Sequence, residues 1–123
     1  MEISPEIDKK CDELIARYPR KKSAAMLILH LIQEKLGYFD DDAIKFAAGK
    51  LGVRPIEVYG MISFYPMFTT APRGRIHIKV CRTLSCAMAG SVKLGHEISK
   101  LVNCPIGETR GIYTLEFVEC LGN

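Results

Sequence analysis

The chain of 123 residues is 48% hydrophobic and has no low-complexity stretch, which excludes a disordered or repeat protein because enough apolar surface exists to offset the entropy of ordering. Its 17 basic and 14 acidic residues leave a formal charge of +3 spread along the whole length, too weak and too mixed for electrostatic capture of nucleic acid. No apolar run approaches the ~18 residues needed to cross a bilayer, and Met1 to Glu6 carries neither a basic region nor a small-residue cleavage site, so neither a membrane span nor a secretory signal is predicted.

Residues 4 to 66 read as helical. Ser4 is placed to cap a first helix with Pro5 at its first position, and Ile7, Cys11, Leu14, Ile15 and Tyr18 recur at helical spacing until Pro19. A solvated basic loop, Arg17 to Lys22, separates it from a second helix after Ser23 that turns Leu27, Ile28, Leu31, Ile32 and Leu36 inward and ends at Gly37. Asp40, Asp41 and Asp42 supply a cap and negative charge for a third helix, with Ile44, Ala47, Ala48 and Leu51 on one face before Gly52. Pro55 opens a short fourth helix, and the aromatic stretch Tyr59, Phe64, Tyr65 and Phe68 is expected in a core or a lobe junction, with docking to another subunit as the alternative.

The pattern changes after Pro72. Ile76, Ile78 and Val80 alternate with His77 and Lys79, the period of a strand with one buried face and a polar one. A helix from about Ala87 to Leu101 is predicted to bury Met88, Val92, Ile98 and Leu101, and a second strand runs from Ile112 to about Val118. Strand, helix, strand reads as a parallel unit. The fold class is therefore α/β: a helical bundle lobe over 1–72 followed by an incomplete βαβ domain over 73–123. Two strands leave open edges and an uncovered face, where an independent sheet wants three or more; on this ground a C-terminally truncated piece is expected.

The chemistry-bearing residues are cysteines. There are five, Cys11, Cys81, Cys86, Cys104 and Cys120, an odd number without an export signal, which disfavours a disulfide framework and favours metal or redox chemistry. Cys81 directly follows the first strand, Cys86 lies beyond it with four residues between, and Cys120 follows the second strand. Parallel neighbours end on the same side of a sheet, so three thiols meet at one edge, where open α/β sheets bind ligands and where thiolates suit a soft metal or an iron-sulphur cluster. Zinc stays open as an alternative, although structural zinc sites close with four ligands. A redox dithiol fits less well, because its motif has two intervening residues. Cys11 sits on an apolar stripe and Cys104 in a turn before Pro105, and neither His30, His77 nor His96 has a second ligand at helical spacing. No phosphate-cradling glycine loop and no nucleophile with a paired base occurs; Gly90 and Gly95 do not make one.

Tyr18-Pro19, Ser23-Ala24-Ala25 and the run Leu31 to Tyr38 look like the helical lobe of one family, as do Val58-Tyr59-Gly60, Phe64-Tyr65 and Phe68. Val80-Cys81-Arg82-Thr83-Leu84-Ser85-Cys86 matches its first ligand pair, and Thr114-Leu115-Glu116 with Val118 to Gly122 matches the approach to its third ligand. The chain thus resembles the small iron-sulphur subunit of NADH:quinone oxidoreductase, respiratory complex I, whose relatives serve NAD-linked formate dehydrogenases and hydrogenases. The resemblance implies a thioredoxin-like fold, a 2Fe-2S cluster on Cys81, Cys86 and Cys120, and a fourth ligand at position 124, one place past Asn123. It also implies a non-catalytic electron carrier beside a flavin- and NADH-binding partner and other peripheral-arm subunits, cytoplasmic and held at the membrane only through the larger complex. Two other readings stay open: a cluster-free assembly or interaction module, and a zinc-stabilised adaptor.

Overall fold

The computed structural model describes residues 3–122. The chain divides into two compact units, one up to Pro72 and one from Arg73. Among the described residues, no helix is long and apolar enough to cross a membrane.

The first unit packs four helices, α1 (Pro5–Ile15), α2 (Ala25–Leu36), α3 (Asp41–Leu51) and α4 (Pro55–Phe64), with a short 3-10 turn, Lys21–Ala24, before α2. Local signals set their limits. Ser4 accepts a hydrogen bond from the Ile7 amide and Asp40 accepts one from Ala43, so each helix start has one of its unpaired donors satisfied. The core is built from Cys11, Ile28, Leu29, Ile32, Phe39 and Val58, all essentially inaccessible. Each large aliphatic buried there contributes about 1.5–3 kcal/mol over its exposed state.

Three expectations for this unit are corrected. The first helix ends at Ile15, and Tyr18 is exposed in the following turn. In α2 the inward residue is Leu29, while Leu27 is 41% exposed, because α2 starts as a continuation of the 3-10 turn and its buried stripe runs through Ala25, Ile28, Leu29 and Ile32. The aromatics also divide: Phe68 is buried edge-on against Phe39 at 5.8 Å, whereas Phe64 at the end of α4 is 76% exposed.

The second unit holds β1 (Ile76–Cys81), α5 (Leu84–Met88), α6 (Ser91–Val102), β2 (Glu108–Arg110) and β3 (Tyr113–Val118). Its sheet has the order β1-β3-β2, with β1 parallel to β3 and β2 antiparallel to it. Among the described residues the sheet therefore has three strands, one more than predicted. Glu108–Arg110 is short, polar and exposed, so no alternation marks it in sequence; a two-residue loop, Gly111-Ile112, with φ of 61° at the glycine folds it back onto β3.

The predicted single helix is in fact two, broken at Ala89-Gly90, where Gly90 takes φ of 103°. Met88, Val92 and Leu101 are exposed rather than buried, Leu101 at 85%. Ile98 packs against the core of Val80, Leu115 and Cys104 as expected, and Gly95 and Val102 face the sheet beside it. Gly95 permits this approach: a Cβ there would meet the Phe117 ring at 2.5 Å.

His77 is not on a solvated face. Its side chain is 14% exposed, with Nε2 2.9 Å from Glu116 Oε1, although the geometry makes no hydrogen bond. Burial, followed by the charge of Arg73, lowers its pKa from the ordinary 6.5. Between 6.5 and the lower folded value the unfolded chain binds more protons, so stability is lost as pH falls through that window. The unfolding midpoint of this unit is expected to drop as pH falls below about 6.5, and His77→Gln to flatten that slope in denaturant titrations. A slope unchanged by the substitution contradicts the assignment.

Candidate functional site: a rim of three thiols

The parallel register pairs Ile76 with Tyr113 and Cys81 with Val118, so β1 and β3 finish side by side. Beyond them the Arg82 amide donates to the Val118 carbonyl at 2.9 Å, which carries the ladder one step past the strands. Cys81 is thus delivered at the end of β1, Cys86 within α5, and Cys120 two residues beyond β3. Together with Leu121 and Gly122 these three cysteines line one depression of about 210 Å³.

The electrostatics of the three thiols differ. The Thr83 amide, and after it Cys86, the Thr83 side chain and the Leu121 amide, lower the pKa of the Cys81 thiol against the opposing effect of burial. Cys86 moves the other way, because its proton is held in a hydrogen bond to Cys81 and because negative charge on Cys81 opposes its own ionisation. The Gly122 amide approaches Cys120 Sγ at 3.4 Å. Amides aimed at sulphur stabilise thiolate, whether free or bound to metal.

An ionic bridge joins the two segments that carry these cysteines. Glu119 accepts from Arg82 Nε at 3.0 Å through Oε1, and from Thr83 Oγ1 at 3.1 Å through Oε2. Sequence reasoning missed this bridge, although the signal was there: Arg82 follows one cysteine, Glu119 precedes another, and parallel strands bring both to one edge.

The other two cysteines lie elsewhere. Cys11 is inaccessible in the first unit, where burial pushes its thiol up to about 11. Cys104 is 1% exposed, its Sγ directed at the carbonyls of Glu108 (3.4 Å), Pro105 (3.6 Å) and Tyr113 (3.7 Å). Iodoacetamide is expected to alkylate Cys81, Cys86 and Cys120 in the native chain while sparing Cys11 and Cys104, as read by peptide mass mapping. Modification of Cys104 ahead of Cys120 contradicts this.

Among the described residues, no three or more His, Cys, Asp or Glu side chains gather closely enough to hold a single metal ion. A 2Fe-2S cluster would make a different demand, because its cysteine ligands would not all have to meet at one iron. The donor set is suited to it: three soft ligands in a shared concavity, with backbone amides directed at two of the sulphurs.

Comparison with known proteins converges on the same chemistry. The sequence model of the thioredoxin-like 2Fe-2S ferredoxins matches residues 11–123. The chain is 34% identical to NADH-quinone oxidoreductase subunit 2 of Thermus thermophilus, over 91% of this chain and 64% of that protein. It is 38% identical to the E 2 subunit of NADH-quinone oxidoreductase from Rhizobium meliloti, over 87% and 65%. It is 33% identical to the E subunit of the same enzyme in Mycobacterium bovis, over 94% and 46%. The chain thus spans less than two thirds of the length of these relatives.

Proposed function

Since the chain belongs to the thioredoxin-like 2Fe-2S ferredoxin family, we propose that it holds a 2Fe-2S cluster through Cys81, Cys86 and Cys120 and carries electrons within an NADH-oxidising complex. A flavin- and NADH-binding subunit is its immediate partner, and attachment to a membrane comes only through other subunits. The fourth ligand is a cysteine at position 124, by the spacing of the family's second pair. One observation carries this reading: three thiols from separate segments line a single concavity.

The cluster, when bound, accepts one electron at a time, which suits it to a neighbour that receives two together as hydride. The chain's own residues have simpler tasks. Cys81, Cys86 and Cys120 supply sulphur, the amides of Thr83, Leu121 and Gly122 direct partial positive charge at it, and the ladder bond from Arg82 to Val118 keeps the two loops level. No residue here is asked to bind nicotinamide.

Anaerobic reconstitution with iron and sulphide tests the proposal. A version carrying a cysteine at position 124 is expected to give a reddish protein with a paramagnetic signal on reduction, and the 123-residue chain little or none. Equal colour in both would refute the need for a fourth thiol. Uptake of zinc alone by the version with a cysteine at position 124 would instead support a zinc-stabilised adaptor.

A further inference from the structure

We infer that Glu119 is a positioning residue whose carboxylate clasps the two cysteine-bearing loops and holds Cys120 against Cys81 and Cys86. The inference rests on the cluster reading, but concerns what keeps the three sulphurs together.

The two loops leave their strands in different ways. After β1 the chain turns at once into α5, with the Ala87 amide bonded to the Thr83 carbonyl at 2.9 Å, so Cys86 is fixed by a turn of helix. After Val118 the chain has no regular structure, and Cys120 is exposed. Glu119 stands between that free segment and the sheet. One carboxylate oxygen takes the guanidinium of the residue after Cys81, and the other takes the hydroxyl of the residue that opens the helix carrying Cys86. Both prongs therefore run from the residue before Cys120 to the loop that bears the other two thiols.

The size of the effect follows from exposure. Glu119 is 65% and Arg82 58% exposed at the side chain, so water and salt screen their attraction. Loss of the clasp should therefore widen the distribution of Cys120 positions without unfolding the unit.

Bridging of the thiols in the cluster-free chain by dibromobimane, a small bis-alkylating reagent, reads this directly once peptide mapping separates the linked pairs. Glu119→Gln is expected to lower the yield of links from Cys120 to Cys81 or Cys86 by about fivefold, the scale an exposed charged contact can supply, and to leave the Cys81 to Cys86 link unchanged. Added salt should lower the Cys120 links in the parent but not in Glu119→Gln. The reversed pair Arg82→Glu with Glu119→Arg should restore them, which a loss of fold or of local charge alone would not allow. If the parent links Cys120 to neither partner, the cluster reading and this inference both fall. If Glu119→Gln links Cys120 as readily as the parent, the clasp is refuted and the cluster reading stands.

Discussion

Serine in place of Cys81, Cys86 or Cys120, in the version with a cysteine at position 124, is expected to lower the iron retained per chain by more than about tenfold, since even outer-shell partners of a metal site are worth about 10–100-fold. The exchange swaps a soft, polarisable thiolate for a hydroxyl that ionises only far above neutral pH, so the iron loses a ligand outright. All three substitutions should act alike despite their different surroundings, because each sulphur lines the same concavity. Cys104→Ser provides the contrast. Its hydroxyl can donate to the carbonyls that now surround the thiol, and it lies in the core away from the rim, so the iron content should be unchanged. Iron and acid-labile sulphide analysis measures this, and full iron in Cys120→Ser contradicts it.

Leu115→Ala is expected to unfold the second unit while the first stays folded. Leu115 is fully inaccessible at the middle of β3, under α6, and its truncation costs about 2–5 kcal/mol in lost transfer energy and residual cavity. A unit of about fifty residues has little stability in reserve, since small domains bury a smaller share of their surface. The first unit has its own core from Ile7 to Phe68 and shares none of these residues. Hydrogen exchange should show the amides of β1 and β3 unprotected in the variant, with α2 and α3 protected as before. Leu101→Ala, at 85% exposure, should change stability by less than about 0.5 kcal/mol. Protection of β3 in Leu115→Ala would show that the sheet's core is not centred there.

The elements legible in sequence were those defined by local chemistry. Ser4 before Pro5, Asp40 before an apolar stripe, and Gly52 after Leu51 act within a few residues of themselves, so their signals survive without tertiary context. The helix over β1 and β3 was misread for the opposite reason. Met88, Val92 and Leu101 carry the apolar signal at helical spacing, yet the face against the sheet is organised by Gly95, which contributes closeness instead of hydrophobicity. Periodicity registers side chains, and the decisive feature here is the absence of one. Glu108–Arg110 was missed because three polar residues have no alternation to read. His77 looked solvated for a similar reason: alternation assigns a face, but does not say what lies over it.

The rim itself was more legible than the structure around it. Parallel strands finish together by construction, so Cys81 and Cys120 at the two strand ends reach one edge, and the turn of α5 brings Cys86 to the same concavity. The donors around those sulphurs were not legible. Backbone amides carry no sequence identity, and the Thr83, Leu121 and Gly122 contacts depend on how each loop turns after its strand. Glu119 is an intermediate case, a side chain whose identity was visible but whose bidentate role required coordinates.

Iron K-edge X-ray absorption on the reconstituted version with a cysteine at position 124 tests most directly whether these thiols share one binuclear centre. Iron surrounded by sulphur alone is expected, with a second iron close by and loss of that iron–iron feature in Cys120→Ser. A lone iron with oxygen or nitrogen neighbours, or an iron–iron feature indifferent to Cys120, would contradict a shared centre.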